Sequence, residues 1–148
     1  MTYSLHIIIR YEIEKSLING EIEVKDLPQI WNEKYKEYLG VTPQSDSEGV
    51  LQDVHWSEGY FGYFPSYALG NLYGTQFLKK MKQDIPTYDR DVTEGRFEGI
   101  HQWLKDNVHR YGAVYEPVEL IKLVTGEELT SKYFIAYLNN KYSEIYNL

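Results

Sequence analysis

Apolar residues recur at helical spacing through most of this chain. Between Thr2 and Leu17, the residues Leu5, Ile8, Ile9, Ile13 and Leu17 fall on one stripe, which Asn19-Gly20 ends. Asp26-Leu27-Pro28 supplies a second helix with an N-cap and an early proline; Ile30, Trp31, Tyr35, Tyr38 and Leu39 follow, and Gly40 stops it. Thr42 to Glu48 is a polar loop containing Pro43. Pro65 then opens a long helix to about Lys82, with Leu69, Leu72, Tyr73, Phe77 and Met81 facing inward. Ala68, Gly70 and Gly74 on that helix would permit close packing of another segment, although each glycine costs roughly 1 kcal/mol against alanine. Further helices are predicted from about Tyr88 to Glu94, Phe97 to Tyr111, Pro117 to Val124 and Ser131 to Tyr146, with Gly95, Gly112 and Gly126 at the stops. The expected fold class is all-α, an irregular multi-helix bundle forming a single helical segment over residues 1–148.

The periodicity fails between Gly49 and Gly62. Val50, Gln52, Val54 and Trp56 alternate as a short strand would. The same stretch and its continuation hold Gln52, Asp53, His55, Trp56, Tyr60, Tyr63 and Tyr67, with Gly59, Gly62 and Pro65 bringing them to the start of the long helix. Hydrogen-bonding groups on a turn, mounted on a rigid helix, form a candidate site. The structural alternative is equally concrete: Asp53 caps a turn, His55 donates to a backbone carbonyl and Trp56 is core.

Composition narrows the function classes. A formal charge of −7, with basic residues interleaved with acids as in Glu33-Lys34 and Lys36-Glu37, gives no phosphate-binding face and argues against nucleic-acid partners. No apolar run approaches a membrane span and no signal-peptide pattern is present, so the expectation is a soluble, cytoplasmic protein without a membrane partner. Zero cysteines exclude disulfides and thiol chemistry. Tyrosine is unusually frequent, 15 of 148, which suits helix seams and polar clefts alike.

Spacing excludes several chemistries. The four histidines, His6, His55, His101 and His109, include no pair four apart. His101 and His109 lie two helical turns apart, about 12 Å, too far to share one ion. No metal site is expected within this chain. Nucleophile elbows and glycine-rich phosphate loops are also absent.

GVLQDVHW (Gly49 to Trp56) followed by GYFPSYALGN (Gly62 to Asn71) resembles the signature near the C-terminus of the zinc metallocarboxypeptidases of the thermostable (Taq) carboxypeptidase family. The resemblance runs from TYSLHIIIRYEIEKSLING to the closing LNNKYSEIYNL, essentially the whole chain. That family's zinc site rests on a His-Glu-x-x-His helix and a further Glu, which this sequence does not contain. The resemblance therefore implies the C-terminal portion of a larger, mostly helical metallopeptidase, truncated and without its zinc-binding half. It also implies inactivity alone, zinc in the full-length enzyme, a peptide substrate, the missing N-terminal half as partner, and a homodimer.

By the same resemblance, His55 and a tyrosine, either Tyr63 or Tyr67, are the catalytic candidates, as hydrogen-bond donors to the oxyanion formed from the scissile carbonyl. Gln52, Asp53 and Trp56 border the cleft as substrate-binding candidates. Arg10 is the available arginine for a terminal carboxylate, against a favoured local pairing with Glu14 at i+4. The family's Ile-Arg-x-x-Ala-Asp motif falls upstream of the residues matching Thr2. Glu58 and Tyr60 stand where the family pattern has small or polar residues. The rival readings are a non-catalytic all-α interaction module derived from that fold, and a binding domain for peptides or small molecules.

Overall fold

The structure, a computed structural model, describes residues 2–148. It contains seven α-helices and, among the described residues, no strand: α1 (Tyr3–Ile18), α2 (Leu27–Leu39), α3 (Phe64–Asp84), α4 (Tyr88–Thr93), α5 (Glu98–Asn107), α6 (Pro117–Thr125) and α7 (Lys132–Tyr146). The all-α expectation holds. The chain divides into two compact units, Met1–Leu69 and Gly70–Leu148, with α3 running through the boundary.

In the first unit α1 packs on α2. Ile9, Ile13, Trp31 and Tyr35 form the buried centre, with Leu17, Ile22, Leu27, Ile30, Tyr38, Leu39, Val50 and Trp56 packed around it. Trp31 and Tyr35 stack at 4.9 Å between ring centroids, and Trp56 meets Trp31 edge-on at 6.2 Å. The predicted stripe is shifted: Ile7 is buried whereas Ile8 is exposed. The α1 face is thus centred on Ile9 and Ile13 and widened on the Ile7 side. Gly40 ends α2 in the left-handed conformation, its N–H on Lys36 O. Asp26 stands at the N-cap position without capping through its side chain, because a 3-10 turn over Val24–Asp26 leads directly into α2.

The predicted strand is instead two 3-10 turns, Val50–Gln52 and Trp56–Glu58. Asp53 Oδ1 accepts the backbone N–H of both His55 (3.0 Å) and Trp56 (3.2 Å). A side chain that captures two consecutive amides leaves no ladder to build. Alternation in sequence was compatible with a strand, but this local capture decides the backbone.

In the second unit Gln76, Met81, Trp103 and Ile121 are buried. Trp103 stands edge-on to Phe77 and donates its indole N–H to Asp84 at 2.8 Å. The Gln76 amide is a polar staple: its nitrogen reaches Thr125 Oγ1 and the carbonyls of Glu127 and Glu128, while its oxygen accepts from the Thr130 N–H. On α3, Leu69 is exposed and Leu72, Tyr73 and Phe77 are half-buried. A Cβ at Gly70 or Gly74 would meet nothing within 4 Å, so the close packing that these glycines would permit is not made by the described residues.

Candidate functional site

The groups singled out from the sequence converge because of one carboxylate. Asp53 is 1% exposed at its side chain. Its Oδ1 holds the two amides of the turn; its Oδ2 accepts from Arg10 Nε at 3.0 Å and faces His55 Nδ1 at 3.2 Å. A buried carboxylate is tolerated only when its lone pairs are filled and its charge is met. Arg10 meets that charge from α1, and the turn fills the remaining sites.

Arg10 does not pair with Glu14. Its Nη1 donates to His6 O and to the Tyr35 hydroxyl, each at 3.1 Å, and its guanidinium lies 4.7 Å over the Trp31 ring. Glu14 is buried and accepts the Trp56 indole N–H at 3.0 Å and the Gly62 N–H at 2.7 Å. Proximity at i+4 loses here to two partners that would otherwise be orphaned. Trp56 thus stands in the core layer rather than on the cleft.

His55 links Asp53 to Tyr67. With the carboxylate as an obligate acceptor, Nδ1 carries the proton of the neutral ring, so Nε2 accepts from the Tyr67 O–H at 3.0 Å. Burial raises the Tyr67 phenol above its ordinary range, with Tyr63, Tyr3 and Asp53 adding to it, so the hydroxyl keeps its proton at neutral pH. Tyr63 instead lies roughly parallel to the His55 ring at 6.4 Å and is 48% exposed. Of the two candidate tyrosines, Tyr67 is the one joined to His55 by a hydrogen bond.

These groups line a cleft of about 360 Å³ formed by Tyr3, His6, Ile7, Arg10, Gln52, Asp53, His55, Phe64 and Tyr67. Gln52 reaches it with its amide anchored on the Ser47 carbonyl. The loop before the motif closes on Gly49, where a Cβ would come within 3.2 Å of Ser45 O and 3.3 Å of Pro43 Cβ. Only glycine fits there without moving the loop.

Tyr3, His6 and Tyr35 were absent from the sequence-derived candidates. The signal for the first two was available: Tyr3, His6 and Arg10 follow at three and four residues and share a face of α1. Tyr35 takes the Arg10 donor on its oxygen and lies 3.1 Å from His6 Nδ1, so its O–H donates to that nitrogen. The His6 proton therefore sits on Nε2, on a ring that lines the cleft. Burial lowers the His6 pKa from its ordinary value, and Arg10 lowers it further.

Between the lowered native pKa and the ordinary value of 6.5, the unfolded chain binds the proton more readily than the native one. Stability is expected to rise with pH through that window and to be lost as pH falls below about 6.5. Urea unfolding at stepped pH should show this slope, and His6→Gln should reduce it. An unchanged slope in the variant would contradict the assignment.

Among the described residues no group of three or more His, Cys, Asp or Glu side chains is placed to hold a metal ion. Both His55 nitrogens are committed to Asp53 and Tyr67, and His6 Nδ1 to Tyr35. This donor set does not fit a catalytic metal.

The sequence model of the carboxypeptidase Taq (M32) metallopeptidase family matches residues 1–142. Carboxypeptidase 1 of Bacillus subtilis is 55% identical over 148 residues, which is all of this chain and 30% of that protein. The crystal structure of the M32 carboxypeptidase from Deinococcus radiodurans superposes with a TM-score of 0.92 at 38% identity, covering all of this chain and 30% of the other. A structure of Pyrococcus furiosus carboxypeptidase gives 0.91 at 40% identity, over 95% of this chain and 28% of the other. The chain thus spans about 30% of the length of the relatives it matches. It belongs to the carboxypeptidase Taq (M32) metallopeptidase family.

Proposed function

We propose that this chain, as the C-terminal portion of a zinc metallocarboxypeptidase that releases C-terminal amino acids from peptides, forms one wall of the substrate cleft. The observation that carries this is the Asp53–His55–Tyr67 relay opening onto the cleft, in a chain of this family. An incoming carbonyl can take the Tyr67 O–H from His55 Nε2, or accept from Nε2 itself once His55 is protonated. In the second case Asp53 stabilises the imidazolium through Nδ1. Gln52 offers its amide at the rim. Arg10 acts through Asp53, holding the carboxylate that orients His55; its other donor contacts, to His6 and Tyr35, keep it on α1.

Catalysis in this proposal needs a zinc ligand set from residues outside this chain. The setting is cytoplasmic: the chain has no cysteine, and no helix among the described residues is long and apolar enough to cross a membrane. Self-association as a homodimer belongs to the same proposal and is supported by exposed Ile8, Phe61 and Leu69.

The test is direct. The purified chain should retain no stoichiometric zinc after dialysis and release no amino acid from peptides. Hydrolysis should appear on mixing with a segment that carries the His-Glu-x-x-His helix. One tightly held zinc per chain, or turnover by the chain alone, would overturn the proposal.

A further inference from the structure

A second hollow of about 340 Å³ shares His55 and Tyr67 with the cleft and is otherwise walled by Val54, Glu58, Tyr60 and Tyr63. Its frame is backbone. The 3-10 turn Trp56–Glu58 is closed by Gly59 in the left-handed conformation, and the N–H groups of Glu58 and Tyr60 both bond to His55 O, at 3.2 and 2.8 Å. Glu58 and Tyr60 are thereby pinned beside the His55 ring.

The lining has a definite chemistry. Tyr60 and Tyr63 are 6.4 Å apart and tilted at 49°, while Tyr63 and Tyr67 meet edge-on at 5.1 Å. Three rings in contact present faces in different directions, although Tyr60 is 57% and Tyr63 48% exposed. The Glu58 carboxylate makes no ion pair or hydrogen bond with any described residue, and no Lys or Arg lines the hollow. An anion would be repelled by that carboxylate. An apolar group would strip its water without replacing it. A cation gains both the carboxylate and the ring faces.

We propose that this hollow is a subsite for the cationic side chain, Arg or Lys, of a bound peptide. The volume lies at the lower end of ligand pockets, roughly 300 to 1,000 Å³, and suits one long side chain. The subsite shares His55 and Tyr67 with the cleft, so a peptide carbonyl at those groups places a neighbouring side chain at the hollow. The assignment rests on the proposed peptide cleft, and it adds the class of residue preferred there.

The experiment compares N-acetyl-L-arginine amide with its uncharged isostere, N-acetyl-L-citrulline amide, titrated into the chain at low ionic strength and followed by NMR. The arginine compound should bind roughly tenfold more tightly, shift the Tyr60 and Tyr63 ring signals, and weaken with added salt. Glu58→Gln should bring arginine binding down to the citrulline level and leave citrulline binding unchanged. Because Glu58 is exposed, an unaltered circular dichroism spectrum is expected for that variant. Equal affinities, no binding of either compound, or indifference to Glu58→Gln would overturn the subsite. Methylguanidine separates the two readings. Glu58-dependent binding of methylguanidine, with no gain from the attached amides, supports the subsite and removes the peptide cleft. Amide binding without any preference for charge does the reverse.

Discussion

Asp53→Ala is expected to cost the fold about 3 to 5 kcal/mol, because it leaves a largely buried guanidinium without its counter-ion. The loss has two parts. Arg10, held over Trp31 and on the His6 carbonyl, cannot swing to solvent without giving up those contacts. The turn amides of His55 and Trp56 also lose their acceptor. Asp53→Asn should be nearly as damaging: its amide can still accept from one side, but it places a donor against Arg10 or His55. Arg10→Met together with Asp53→Ala should lose less than the sum of the single changes, since the uncompensated charge disappears with its partner. Urea midpoints of Asp53→Ala, Asp53→Asn, Arg10→Met and the double variant decide the matter. Additive losses, or a shift below about 1 kcal/mol for Asp53→Ala, would show that the pair is dispensable.

His55→Ala in the assembled peptidase should lower the turnover rate about 10²- to 10³-fold, the usual effect of deleting one donor to a developing oxyanion. KM should move far less than kcat, and zinc content should stay the same, because His55 is committed to Asp53 and Tyr67. Tyr67→Phe should follow the same pattern, since its hydroxyl is the group at Nε2. Tyr63→Phe should leave turnover near the parent value. A His55→Ala enzyme with full turnover would leave the motif as architecture and favour a non-catalytic interaction module. Reduced thermal stability with a matching rise in KM would assign His55 to holding the loop.

Much of the helical architecture was readable because 3.6-residue periodicity and glycine stops are local signals. Gly40 and Gly126 end α2 and α6 as expected, each in the left-handed conformation with its N–H returned to the last turn. What could not be read was set by partners far along the chain. Arg10 has Glu14 within reach by spacing, yet it bonds to Asp53, forty-three residues away. Glu14 is claimed by Trp56 and Gly62, at separations of 42 and 48. The apparent alternation over Val50 to Trp56 carried no information about Asp53 capturing two amides. In the candidate site, the motif residues themselves were legible. Tyr35, which sets the His6 tautomer, was not, because nothing local distinguishes it from the other aromatic residues of α2.

The Arg10–Asp53 bond is expected to form late in folding. The α1–α2 pair can close over a short connection, whereas the turn at Asp53 must return across forty-three residues to reach α1. Closing that longer loop carries more entropy and follows naturally once the helices are docked. The expected last step in this unit is the arrival of the motif itself, which assembles the cleft on two helices already docked.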